Sequence, residues 1–208
     1  MLRIALTKGR IEEKAIALFE KSGYDCTPLH DKGRKLIFSL PEAGLEFVLA
    51  KAADVITYVE HGVCDAGVVG KDTIMENGRS FFEIMDLGFG HCRFCLCGLE
   101  GKNFYDGYRD KKIATKYPKV AKDYFDSKGI NVETVKIEGS VELAPLLGLA
   151  DGIVDIVETG STLKENGLTV YETVAPISAR LIVNVASMKL KKAEIDLLSS
   201  RLTRALEG

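Results

Sequence analysis

Residues 155–163 read Asp-Ile-Val-Glu-Thr-Gly-Ser-Thr-Leu, and their types suit two parts of one ligand. Asp155 and Glu158 close an apolar run, and carboxylates accept strong, charge-assisted hydrogen bonds from vicinal sugar hydroxyls. Thr159, Gly160, Ser161 and Thr162 follow at once. Hydroxyls and backbone N–H groups in such a turn are what a phosphate takes where a helix begins. A sugar phosphate satisfies both halves. The same letters also describe an ordinary strand–turn with a Thr or Ser helix cap, so the stretch alone leaves both readings open.

Other chemistry-bearing clusters carry less. Gly67-Val68-Val69-Gly70-Lys71-Asp72 has neither Walker nor G-x-G-x-x-G spacing, so it reads as a strand-to-helix turn with Asp72 as its cap. Cys92, Cys95 and Cys97 stand beside His91, but a strand here puts Cys95 and Cys97 on one face and Cys92 on the other. No second Cys/His pair has zinc-site spacing, and buried structural thiols are expected. His30, His61 and His91 fall in a loop, a helix end and a turn, and none reads as catalytic.

The elements that would position these residues alternate. Strands are expected at 3–7, 36–40, 45–49, 66–69, 82–87, 93–97, 112–115, 132–137, 153–157 and 178–186, and helices at 11–22, 53–61, 118–127, 141–149 and 190–206. A further helix is expected to begin at 70–72, and the polar stretch 100–112 reads as loop or irregular helix. Pro41 and Gly44 suggest a tight connection between two of the strands, and Gly88-Phe89-Gly90 joins two others. Such alternation implies an α/β architecture with mostly parallel sheets. The pattern restarts near residue 92, and the last strand and helix have no place in the second half. Two lobes are therefore expected, 1–91 with 178–208 and 92–177, crossed twice by the chain, with a cleft as the usual place for a small ligand.

Composition bounds the partners. The chain has 208 residues, 46% of them hydrophobic and 28% charged, with a formal net charge of −2. That balance gives no general attraction to nucleic acid or to acidic membrane, so any phosphate binding must be local. No apolar run is long enough to cross a bilayer, and the opening residues lack an apolar stretch of signal-peptide length. Five cysteines without a secretion signal read as reduced thiols. The cytoplasm is the expected compartment.

Glu138-Gly139-Ser140-Val141-Glu142-Leu143-Ala144-Pro145, followed by Gly148, Asp151, Ile153, Asp155 and the Glu158–Leu163 turn, closely resembles the signature of the ATP phosphoribosyltransferase family. The openings at Leu6–Arg10 and Asp54–Asp72 are similar to that family's first-lobe turns, so the resemblance spans essentially the whole chain. It implies a two-lobed, periplasmic-binding-protein-like fold. It also implies transfer of phosphoribosyl from phosphoribosyl pyrophosphate to N1 of ATP, with Mg²⁺, as the first step of histidine biosynthesis. The chain ends at Gly208 just after a final helix and so looks like the short form, which works with a histidyl-tRNA-synthetase-like regulatory subunit, as a dimer within a hetero-oligomer.

On that resemblance Thr159, Gly160, Ser161 and Thr162 are expected at the phosphate, and Asp155 at the ribose hydroxyls with Glu138 or Glu158 assisting. Lys8 and Arg10 flank Gly9 beyond the first strand, at the end where open α/β sheets bind ligands. They are expected at the triphosphate, with Arg34 and Lys51 toward the leaving group. Many family members carry Arg where Lys51 stands, and Lys keeps the charge but loses the bidentate fork. The alternative is a two-lobed solute-binding protein without catalysis, since this fold hosts both. A type I phosphoribosyltransferase is a third reading, but its two acids are adjacent, whereas here they lie three residues apart.

Overall fold

Strand β1 (Leu2–Thr7) is apolar at four of its six positions and is buried everywhere but Arg3, as a strand with a partner on each side and helices over both faces should be. Gly9, at φ 96°, turns the chain into α1 (Arg10–Lys21). Its apolar positions Ala15, Ile16 and Phe19 recur at helical spacing and are buried. Strands β2 (Ile37–Leu40) and β3 (Leu45–Ala50) are antiparallel, joined by a short turn that closes on Gly44 in the left-handed conformation. Helix α2 (Ala52–Glu60), β4 (Ala66–Gly70), α3 (Lys71–Asn77) and β5 (Phe82–Asp86) follow. Asp72 does not cap α3. Gly70 holds the cap position without a side-chain bond, and Asp72 lies in the first turn.

The next stretch is a second α/β run: β6 (Cys92–Leu99), β7 (Lys111–Thr115), α4 (Pro118–Ser127), β8 (Val132–Lys136), α5 (Leu143–Leu146), β9 (Gly152–Val157), α6 (Ser161–Glu165) and β10 (Leu168–Ile177). The chain ends with β11 (Ala179–Val183), α7 (Ser187–Leu190) and α8 (Lys192–Glu207). This computed structural model describes residues 1–78, 80–107 and 110–208. Residues 108 and 109 of the stretch read as loop or irregular helix therefore lie outside the described residues.

The chain divides into two units, Met1–Gly90 with Ser178–Gly208, and His91–Ile177. The first holds a six-stranded sheet in the order β2-β3-β1-β4-β11-β5, and the second a five-stranded sheet in the order β10-β6-β9-β7-β8. In the first, one core joins the sheet to α1 and α8 through residues such as Ile4, Phe19, Phe47 and Leu198. A smaller core joins the other face to α2 through Val55, Ile56 and Val59. In the second, Cys95, Cys97, Ala114, Ile153 and Val157 of the sheet pack against Val141, Ala144 and Leu163.

Several expectations change. The sheets are mixed rather than mostly parallel: β3–β1–β4 and β9–β7–β8 run parallel, while β2, β11, β5, β6 and β10 join antiparallel. Strands β5 and β6 follow each other in sequence but belong to different sheets. The helix expected over 141–149 shrinks to Leu143–Leu146, because Pro145 supplies no N–H and Gly148, at φ 72°, reverses the chain. The helix expected from Leu190 is broken at Lys191, so Leu190 belongs to α7 and only the following residues form α8. The ten-residue strand β10 was not foreseen.

Candidate functional site

Strand β9 places two side chains at its end by the alternation that builds the core. Ile153 and Val157 are buried in the second unit's core. Asp155, between them in the two-residue period, shares their face. Val157 is followed by the polar turn, and Gly160, at φ 81°, takes a left-handed conformation that a side chain would strain. Leu163, buried, anchors α6 beneath the turn. The Thr159 and Ser161 hydroxyl oxygens lie 3.1 Å apart, and the Ser161 N–H donates to Thr159 Oγ1 at 3.4 Å. The remaining N–H groups of this first helical turn have no acceptor within the helix.

A cavity of about 290 Å³ results, lined by Glu142, Asp155 and the run Ile156–Leu163. Asp155, Glu158, Thr159, Gly160, Ser161 and Thr162 are thus brought together. Burial pushes the Asp155 carboxyl above its ordinary range and Glu142 adds to the push, while the Ile156 N–H and Lys116 oppose it. Glu138 does not line this cavity. It is exposed and lies 2.9 Å from Lys136, whose ammonium holds its carboxyl below the usual range.

A second cavity, about 370 Å³, lies in the first unit among Lys8, Glu12, Lys32, Arg34, Lys35 and Leu36. The Lys8 N–H donates to the Ala50 carbonyl at 2.9 Å, so Lys8 and Lys51 leave neighbouring parallel strands side by side. Lys51 holds the cap position of α2, and Arg10 is the first residue of α1. Both are exposed, and neither lines the cavity. The carboxylate of Glu12, buried, accepts from Lys32 Nζ at 2.6 Å and from the Gly9 N–H at 3.4 Å. The remaining cations give the cavity a net positive lining. Another hollow of about 370 Å³, by Tyr24, Pro41 and Arg201, has none of these motifs.

The family model described as HisG: ATP phosphoribosyltransferase matches residues 51–204. An ATP phosphoribosyltransferase of Clostridium kluyveri is 61% identical over 201 residues, covering 97% of this chain and 92% of the relative. One from Clostridium novyi is 58% identical, with 100% and 99% covered. Among solved structures, the ATP phosphoribosyl transferase (HisG:HisZ) complex from Thermotoga maritima aligns with TM-score 0.85 and 34% identity, covering 100% of this chain and 99% of that one.

This chain belongs to the ATP phosphoribosyltransferase family. It is a phosphoribosyl-transferring enzyme, a glycosyltransferase by class. The cavity in the second unit has an acidic, hydroxyl-rich lining and that in the first a basic one. The family requires a divalent metal. Among the described residues no group of three or more His, Cys, Asp or Glu side chains converges on a cation site. Glu142 and Asp155 nonetheless share one cavity wall, which is the donor set Mg²⁺ uses when substrate phosphates complete its shell.

Two neighbours of the site were missed in the sequence. Glu142 stands in the quoted signature but falls within a stretch read as helix, which concealed that it sits on a turn facing Asp155. Lys116 follows a strand as an ordinary surface lysine would, and only strand register brings it to the site. Cys95 stands opposite Asp155 in the β6–β9 pair and Cys97 lies in the same core, but no cysteine lines the cavity. Burial raises the thiols of Cys26 and Cys97 to about 12 and that of Cys64 to about 11, so all three remain protonated. No helix among the described residues is long and apolar enough to cross a membrane.

Proposed function

We propose that this chain transfers the phosphoribosyl group of phosphoribosyl pyrophosphate to N1 of ATP, releasing pyrophosphate (EC 2.4.2.17), as the first step of histidine biosynthesis. One observation carries the reading: a half-buried carboxylate and a Ser/Thr turn line a single cavity of sugar-phosphate size in the second unit. There Thr159, Gly160, Ser161 and Thr162 hold the 5′-phosphate, and Asp155 with Glu158 accepts hydrogen bonds from the ribose hydroxyls. Glu138 is at most an outlying contributor, since it stands outside the cavity lining. The first unit handles the nucleotide triphosphate and the departing pyrophosphate through Lys8, Arg10, Arg34 and Lys51.

The bond from C1 to the pyrophosphate oxygen breaks as the N1 lone pair bonds to C1. Neutral N1 needs no proton removed before attack, so the absence of a catalytic histidine costs nothing. Positioning and fixed charge carry the rate. Asp155 and Glu142 would hold a Mg²⁺ ion that comes with the diphosphate, and its charge would neutralise the leaving group. Because the Thermotoga relative is a HisG:HisZ complex, a histidyl-tRNA-synthetase-like regulatory subunit is the proposed partner, around a dimer of this chain, in the cytoplasm. The solute-binding alternative gains nothing from relatives that are named for the transferase.

The deciding assay mixes the protein with ATP, phosphoribosyl pyrophosphate and Mg²⁺, with and without the regulatory subunit, and follows the absorbance of N1-alkylated adenine. No product in either mixture sinks the reading. Thr162→Ala is expected to raise the KM for phosphoribosyl pyrophosphate about tenfold or more, the loss of a hydrogen bond to a charged group, while the KM for ATP stays within about twofold. Equal losses would overturn the division of the site.

A further inference from the structure

The cavity in the second unit poses an electrostatic problem. Its charged lining is Glu142, Asp155 and Glu158, with no cation among them, yet the proposed ligand carries a phosphate at one end and a diphosphate at the other. Like charges confined together cost several kcal/mol unless a counter-charge is close. Metal carried by the substrate offsets part of this. The rest must come from a side chain near the cavity rather than in its wall.

Strand register points to one. Ile113 faces Gly152 and Ala114 faces Ile153 in the parallel pair of β7 and β9. The pairing extends past the ladder, because Thr115 Oγ1 donates to the Val154 carbonyl at 2.6 Å. Lys116, the bend residue that follows β7, therefore leaves the strand beside the stretch of β9 that carries Asp155. Ala114 and Ile153 belong to one core, and Asp155, two residues on along β9, shares the face of Ile153, within reach of the Lys116 charge. On the other side the Ile137 N–H donates to the Thr115 carbonyl at 3.0 Å, which brings Glu138 near. The charge of Lys116 acts on both acids, drawing each carboxyl downward.

The backbone beneath Lys116 is fixed while its ammonium is free. Thr115 is fully buried, and its Oγ1 also accepts the Tyr117 N–H at 2.9 Å. The Tyr117 ring packs edge-on against Phe94 at 4.9 Å. Lys116 itself is exposed and makes no ion pair among the described residues. A ligand whose 5′-phosphate sits on the 159–162 turn and whose ribose reaches Asp155 has only its C1 end left to extend toward β7.

We propose that Lys116 is a substrate-binding cation that grips the diphosphate of phosphoribosyl pyrophosphate from the sugar side, so that the second unit holds this substrate before the nucleotide arrives. The assignment rests on reading the cavity as the phosphoribosyl site. The test is calorimetry on the full chain with Mg²⁺ at fixed concentration, using phosphoribosyl pyrophosphate and ribose 5-phosphate as separate probes, on wild type, Lys116→Gln and Lys116→Arg. Lys116→Gln should weaken phosphoribosyl pyrophosphate about tenfold or more, leave ribose 5-phosphate within about twofold, and melt at the wild-type temperature; Lys116→Arg should recover most of the affinity. Unchanged affinity for phosphoribosyl pyrophosphate in Lys116→Gln, beside a wild type that binds it, would overturn the role of Lys116 alone. Equal weakening of both probes would move Lys116 to the 5′-phosphate and overturn the diphosphate assignment. A wild type that binds neither probe would overturn the cavity reading and this proposal together.

Discussion

Burial raises the Asp155 carboxyl above the ordinary aspartate range even though the Ile156 N–H and Lys116 work against it, and that direction has a consequence for stability. A folded-state pKa above the unfolded value means the folded chain favours the protonated acid. Its stabilising effect is complete below the unfolded value, about 3.9, and is lost as pH rises through the folded one. At pH 7 ionised Asp155 therefore weakens the fold it sits in. Asp155→Asn, which keeps the shape and removes the charge, is expected to raise the Tm at pH 7, with the gain fading toward pH 4. Turnover should fall by about 100-fold or more if the carboxylate grips the ribose. Thermal melts across pH alongside the transfer assay check both, and a lower Tm at pH 7 would show that the residue is structural. The acid and the hydroxyl turn were legible because they are adjacent in sequence. Lys116 was not, since nothing local distinguishes it from any other lysine after a strand.

At the scale of elements, close backbone approach explains a glycine that periodicity alone passes over. Helix α2 lies directly on β4 at Gly67, where an added Cβ would stand 2.7 Å from Val55 Cγ1 and 2.9 Å from Val59 Cγ2. Gly67→Ala should cost about 1–3 kcal/mol through overpacking, read as a lower urea midpoint with an unchanged m value. No effect would mean that the helix can shift away from the sheet freely. The elements themselves were readable where their period was clean, as in α1, α4, β1 and β9. Strand β10 escaped notice because its alternation is interrupted. Its register against β6 shifts between Val170 and Glu172 and again between Thr173 and Ala175, and Pro176 lies near its end, a residue that ordinarily argues against a strand. Being an edge strand, β10 tolerates all three. The overlong helix at 141–149 failed for the opposite reason: apolar residues at helical spacing outweighed Pro145 and Gly148 in the reading, although not in the fold.

Across the whole molecule, the two units differ in how the chain supplies them. The second is one uninterrupted stretch, His91–Ile177, with its own core of sheet and helix residues. Expressed alone, this stretch is expected to melt in a single cooperative transition by circular dichroism, as a domain with its own core should; a gradual, featureless loss of signal would show that it depends on the rest. The first unit is assembled from both ends of the sequence. Strand β11 lies between β4 and β5, and among the described residues β5 pairs with no other strand. This insertion sets an order of events during translation. As the polypeptide leaves the ribosome from its N-terminus, β5 emerges without a neighbour and waits while the entire second unit is made. The later-synthesised unit can thus finish first, reversing the usual N-to-C sequence of domain maturation. A nascent chain stalled before Ala179 would carry a completed second unit and, in the first, an open sheet edge at β4, the form of this protein most exposed to chaperones and to aggregation.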